Sequence, residues 1–188
     1  CGNGFFLGKA SEMGIENVWG MEPGIASVAK ASKTLQKRIK TDILREGIFK
    51  KGTFDIICCF HTLDHVPDPN QFLQVVHSLL KKGGMAFFIV HNTDGLSVKL
   101  FGEKSPIFDI EHIYLFNFKT LKKIFAKNKF RNIEVFDIKN KYPLHYWFRM
   151  VPLPKAIKSK TLSFLDHAKI SSFPVSLSAG NMGIVAYI

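Results

Sequence analysis

Cys1-Gly2-Asn3-Gly4 leads directly into Phe5-Phe6-Leu7, and the reading of that stretch decides the fold class. Glycines at alternate positions ahead of a helical pattern let the backbone turn tightly beneath a ligand. The helix behind them leaves free N–H groups for the ligand's polar parts. The next apolar run adds weight to the spacing. Ile15 to Met21 reads as a short strand, Val18-Trp19-Gly20-Met21, closing in Glu22-Pro23-Gly24. A turn, a helix and a strand ending in an acid describe the start of an open α/β sheet.

Glu22 lies about 20 residues beyond the glycines, where nucleotide-binding sheets place a carboxylate to accept ribose hydroxyls. An adenosine-containing cofactor is therefore expected. A dinucleotide fingerprint needs a third glycine three positions after the second. That position is Leu7, with Gly8 one residue out of phase, so no pyrophosphate cradle is indicated. S-adenosylmethionine carries no phosphate and needs only the close backbone approach that Gly2 and Gly4 allow.

Further motifs occur in order: Met21-Glu22-Pro23, Phe54-Asp55-Ile56-Ile57, His61-Thr62-Leu63-Asp64-His65-Val66-Pro67-Asp68-Pro69 and Leu79-Leu80-Lys81-Lys82-Gly83-Gly84. Together with the glycine turn they resemble the successive motifs of class I S-adenosylmethionine-dependent methyltransferases. The similar subgroup contains ubiquinone-biosynthesis O-methyltransferases and methyltransferases of sugar and polyketide pathways. The resemblance spans residues 1 to about 130. It implies a doubly wound, Rossmann-like, mainly parallel sheet closed by an antiparallel C-terminal strand pair. It also implies S-adenosylmethionine as cofactor, with Gly2, Asn3 and Gly4 at its methionine end and Glu22 and Pro23 at its ribose. Asp42 and Ile43 would flank the adenine, the alternative for Asp42 being an ordinary turn. Phe60 and His61 close the cofactor set. In the family a strand and an acidic residue precede the glycines, whereas this chain starts at Cys1. The sheet is therefore expected to lack its first strand and to leave strand edges unpaired.

With 188 residues and 46% apolar content, one core and one domain are expected. Cys58 and Cys59 are neighbours in an apolar run and point to opposite faces of a strand, which suits a reducing, cytoplasmic compartment. The net charge of +11 fits either a lysine-rich solvated surface or attraction to an anionic partner. Nucleic acid is disfavoured, because neither an Asp/Asn-Pro-Pro-aromatic motif nor a Pro-Cys pair occurs.

Helices are expected over 5–13, 24–35, from Pro69 to Leu80 with Gly83-Gly84 as its stop, and over 118–128. Phe54 to Phe60 is the strongest strand, apolar apart from Asp55, as a strand covered on both faces should be. Weaker strands are expected over 35–40, 85–90, 130–138 and 183–188. Residues 93–117 form a site-covering loop with a short helix near Leu96–Phe101. Residues 139–180 form an inserted lid whose aromatics either bind a lipophilic or glycosylated substrate, touch a membrane surface, or bury one another.

Methyl transfer from a sulfonium is an in-line displacement, aided for a hydroxyl acceptor by a general base. Small-molecule O-methylation is the expected reaction. A non-catalytic binding module and a nicotinamide oxidoreductase are the alternatives. His112, His65 and Asp64 are the catalytic candidates, positions 61, 64 and 65 sharing one side of a helical turn. The pattern resembles the Glu-x-x-Glu-His…His magnesium site of small-RNA 2′-O-methyltransferases, with His61 and Asp64 at the glutamate positions. Magnesium prefers oxygen ligands and imidazoles suit zinc, manganese or iron better, so a metal at His61, Asp64, His65 and His112 is an open alternative and no metal ligand is assigned. His77, His145 and His167 receive no role.

Overall fold

The computed structural model describes all 188 residues and divides into two compact units, Cys1–Lys50 and Lys51–Ile188. In the first, α1 (Phe5–Glu12) comes after the glycine turn and leads to β1 (Gly20–Met21). The single helix expected over 24–35 is two short ones, α2 (Ile25–Ala29) and α3 (Lys33–Gln36). The break comes at Ser32, whose side chain accepts the Leu35 N–H and caps the second helix. β2 (Ile39–Lys40) pairs parallel with β1, Gly20 against Ile39 and Met21 against Lys40. Leu7, Val18, Ala31 and Ile39 form this unit's core. Helix and strand approach so closely that a Cβ on Gly20 would lie 2.6 Å from the Leu7 Cδ1.

In the second unit a four-stranded sheet runs β3 (Phe54–Phe60), β4 (Leu80–His91), β6 (Pro174–Tyr187), β5 (Arg131–Pro143). β3 and β4 are parallel, and β6 is antiparallel to both β4 and β5. The architecture is thus α/β with parallel pairs and the expected antiparallel closure. Between β3 and β4 lies α4 (Pro69–Leu79), where Asp68 accepts the N–H groups of Asn70 and Gln71 and proline occupies the first turn. α5 (Leu96–Phe101) and α6 (Phe118–Lys127) come after β4, α6 opening with a reciprocal capping box between Asn117 and Thr120.

The apolar residues of α4 and α6 cover one face of this sheet. Phe88 on β4 is fully buried, edge-on to Phe72 (6.2 Å between centroids) and Phe125 (5.2 Å). Each such pair contributes about 0.5–1.5 kcal/mol beyond its buried area. Leu73, Val76, Val90, Leu121 and Ile184 complete the core.

Three expectations are corrected. β3 is not covered on both faces, since Ile56 is exposed, although its place at a sheet edge is the unpaired edge expected. Gly83 and Gly84 do not stop a helix, because β4 already begins at Leu80 and the glycines carry a register irregularity against β3. There Gly84 passes so near the backbone that a Cβ would meet the Lys81 carbonyl at 2.7 Å. The lid is shorter than expected, since β5 and β6 run on past the sheet as a two-stranded ribbon to Pro143 and Pro174, which are register partners. α7 (Leu144–Met150) and α8 (Lys155–His167) are inserted between them. Part of this insert is a small core, with Trp147 buried, its indole N–H donating to the Val175 carbonyl, and the Tyr142 ring packed against it at a tilt. Phe164 and Phe173 stay exposed. No helix is long and apolar enough to cross a membrane.

Candidate functional site

The first unit assembles the expected nucleotide-binding residues at the carboxyl ends of β1 and β2. Gly4 is left-handed, with φ of 75°, and its N–H donates to the Cys1 carbonyl at 3.1 Å. A Cβ there would press on Ile39 and Leu35 at 3.3 Å, so only glycine fits without strain. Glu22 directly succeeds β1, its own N–H donating to the Lys40 carbonyl. Its carboxylate spans the turn: Oε2 accepts the Gly2 N–H at 2.7 Å and Oε1 the Gly24 N–H at 3.0 Å. The Cys1 amino group adds a contact of 3.0 Å to Oε2. Partial burial works to raise the Glu22 pKa, but the Gly2 N–H, the amino group and the Gly24 N–H outweigh it and leave it below its ordinary 4.5.

Asp42 stands after β2 as Glu22 stands after β1. It receives the Arg45 guanidinium at 2.7 Å and the Ile43 N–H at 2.7 Å, in that order of effect, and both hold it below its ordinary 3.8. Ile43 is exposed beside it, as is one edge of the Glu22-Pro23 corner. Gly2, Asn3, Gly4, Glu22, Pro23, Asp42 and Ile43 thus lie in one unit.

The second unit gathers the histidines. β3 delivers Phe60 and then His61, whose φ of 46° is left-handed for a residue with a side chain. The expected helical turn does not form. Instead the chain bends through a turn closed by the His65 N–H on the Thr62 carbonyl at 3.0 Å, which buries Asp64 to 1% exposure. The Asp64 carbonyl accepts the N–H groups of Ile113 and Tyr114 at 2.9 and 3.1 Å. His65 Nδ1 donates to the Glu111 carbonyl at 2.8 Å, and its Nε2 lies 3.8 Å from Asp64 Oδ1. These bonds pin the 109–114 loop, and the tilted rings of His65 and His112 lie with centroids 4.7 Å apart. Sequence reasoning expected Asp64, His65 and His112 to meet, and they do.

His91 was missed. It ends β4 as His61 succeeds β3, and its Nδ1 lies 2.8 Å from Asp64 Oδ2. Its ring is 4.7 Å from that of His61 and 4.6 Å from that of His112. The available signal was its place at the carboxyl end of an apolar strand, where open sheets put ligands. Burial works to raise the Asp64 pKa, yet hydrogen bonding from His91 and the charges of His91 and His65 bring it below its ordinary 3.8. Burial first, then His91, lowers the pKa of His61.

Comparison with known proteins decides the family. A model of the methyltransferase domain matches residues 1–135, well over half of the chain. The chain belongs to the methyltransferase-domain family. Among curated members it is similar to the ubiquinone biosynthesis O-methyltransferase of Colwellia psychrerythraea, 31% identical over 99 residues. That match covers 49% of this chain and 39% of the relative. The Escherichia coli K12 enzyme of the same name is 29% identical over 103 residues, 52% of this chain and 42% of the relative. Less than half the length of these curated methyltransferases is therefore matched. Among solved methyltransferase structures, an S-adenosylmethionine-dependent enzyme of Archaeoglobus fulgidus superposes with a TM-score of 0.67 at 16% identity, covering 100% of this chain and 83% of that one. Haemonchus contortus phosphoethanolamine N-methyltransferase 2, solved with S-adenosylhomocysteine, gives 0.63 at 17% identity, covering 100% of this chain and 47% of that one. The fold is that of class I S-adenosylmethionine-dependent methyltransferases.

Proposed function

We propose that the protein methylates a hydroxyl of a small molecule, using S-adenosylmethionine. The observation that carries this reading is Glu22, an ionised carboxylate at the end of β1 that spans the Gly2–Gly4 turn. Oε1 keeps lone-pair capacity for a ribose hydroxyl beyond its single bond from Gly24, whereas Oε2 already accepts the Gly2 N–H and the Cys1 amino group. Asp42 and Ile43 at the next strand end supply an acceptor and an apolar surface for adenine, with Asn3 and Pro23 at the rim. A dinucleotide is disfavoured by Leu7, a buried core residue where a pyrophosphate fingerprint needs glycine.

S-adenosylmethionine, when bound, would supply an electrophilic methyl group that passes to the acceptor oxygen as its S–CH3 bond breaks to leave a thioether. The acceptor's proton goes to an imidazole, for which His112 is our candidate. His65 and Asp64 hold the loop that carries it. Phe60 backs the strand end. The substrate is taken to be lipophilic or glycosylated, on the strength of the exposed aromatics of the 144–173 insert and the ubiquinone relatives. The free thiols of Cys58 and Cys59 suit a reducing compartment such as the cytoplasm.

Calorimetry with S-adenosylhomocysteine and with NAD tests the cofactor. Binding of the first alone is expected, and binding of NAD alone would overturn the reading. Incubation with S-adenosylmethionine and a metabolite extract, then mass spectrometry, should show a product heavier by one methylene unit. Cofactor binding without any methylated product would leave a binding module instead.

A further inference from the structure

The four clustered imidazoles surround one carboxylate, and that carboxylate is incomplete. Asp64 is 1% exposed, and while its Oδ2 receives His91, its Oδ1 is buried with no hydrogen-bond partner. An ionised oxygen withdrawn from water and left unpaired is costly, and natural sites fill such a position with a cation or a donor. Two groups of three side chains bring their ligand atoms within 4.8 Å of one another here, and both contain Asp64.

We propose that His61, Asp64 and His91 bind a divalent transition-metal ion. Two imidazoles and one carboxylate are a donor set for zinc, manganese or iron(II), whereas magnesium favours oxygen ligands. Three protein ligands leave room for a further, exchangeable one.

Three features favour this group over Asp64 with His65 and His112. First, His61 and His91 stand at the ends of adjacent parallel strands. The His61 N–H donates to the Ile89 carbonyl at 2.8 Å, so the ladder itself sets their spacing. Sites on strands hold ligand geometry better than sites on loops, and His112 lies on a loop. Second, His91 Nδ1 is already 2.8 Å from the carboxylate, against 3.8 Å for His65 Nε2. Third, the left-handed backbone at His61 turns its ring onto His91, and strain of this kind concentrates at functional positions.

Metal binding can be read without methyl transfer, so the test follows the metal alone. The full chain, stripped with chelator and dialysed, is titrated with cobalt(II) and monitored by visible absorption, then by competition with zinc(II). One equivalent should bind with a d–d spectrum of low coordination number and be displaced by zinc. Millimolar magnesium should not displace it. His61→Ala and His91→Ala should each weaken cobalt binding at least tenfold, while His167→Ala, on α8, leaves it unchanged. Asp64→Asn should abolish it, and circular dichroism of that variant separates loss of the site from loss of fold. Absence of a d–d band, displacement by magnesium, or binding that survives His61→Ala and His91→Ala but is lost in His65→Ala and His112→Ala would overturn the assignment.

Discussion

Replacing Glu22 by glutamine removes one charge and exchanges one oxygen for an amide donor, with little change in shape. In the native turn Oε2 accepts the Gly2 N–H at 2.7 Å and Oε1 the Gly24 N–H at 3.0 Å. Glutamine keeps one of these bonds and points an N–H2 group at the other donor. A hydrogen bond to a charged group is worth about 1.5–3 kcal/mol, and leaving a partly buried N–H unpaired costs about 1–3 kcal/mol. Because the Glu22 side chain keeps some contact with water, the lower end applies, about 1–2 kcal/mol off the first unit's stability. Ligand binding suffers separately. Two ribose hydroxyls now face a neutral amide instead of a carboxylate, so S-adenosylhomocysteine should bind about 10–100-fold more weakly, each tenfold being about 1.4 kcal/mol. Thermal unfolding reads the first effect and calorimetric titration the second. A Glu22→Gln protein that melts lower but binds the ligand as tightly as native would refute the ribose assignment while sparing the role in the turn. One that does neither would refute both.

Acid titration checks the same residue by its charge. The folded Glu22 pKa lies below the ordinary 4.5, so its stabilising contribution is complete above that value and is lost as pH falls through the folded pKa. Glu22→Gln should flatten this part of the stability profile, and an unchanged profile would contradict the hydrogen bonding described. Phe125→Ala empties a fully buried site between Phe88 and Phe130, with ring centroids 5.2 and 5.1 Å away. It should cost about 3–5 kcal/mol in urea unfolding, and a loss under about 1 kcal/mol would mean the helical layer is not packed as described. Cys1 is exposed, whereas burial pushes the Cys59 thiol up to about 12. Mass-spectrometric mapping after brief iodoacetamide treatment at mildly alkaline pH should find Cys1 labelled first, because thiolate is the reactive form; early labelling of Cys59 would count against its burial.

The glycine turn and Glu22 were legible because their determinants are local. Gly2, Gly4 and Glu22 announce themselves through backbone freedom and through spacing that a strand and a helix impose. β3 and α4 were legible for the same reason, by apolar continuity in one and by Asp68-Pro69 in the other. What escaped depended on partners distant in the chain. Phe54 to Phe60 reads as a covered strand by composition, and nothing within it tells that Ile56 stays exposed. Gly83-Gly84 has the chemistry of a helix stop as well as of a strand irregularity, and only the register against β3 decides. The ribbon beyond Ile138 was hidden because Asn140-Lys141 and Ser176-Leu177 have weak strand propensity and hold their shape by pairing with each other. His91 went unassigned because its link to Asp64 crosses 27 positions and joins two strand ends that meet only in the fold.

The ribbon joining the insert to the sheet has an evolutionary corollary. Pro143 and Pro174 face each other across a ladder, so the helical pair is grafted on at two points already spaced as the ends of a hairpin. A tight two-residue turn would close the same gap. Residues 144–173 can therefore lengthen, shorten or change sequence without disturbing the pairing of Val135 with Ile184 or the strands behind it. Under the function proposed above, swapping this module between relatives would change acceptor preference and leave the Gly2–Glu22 turn unaltered.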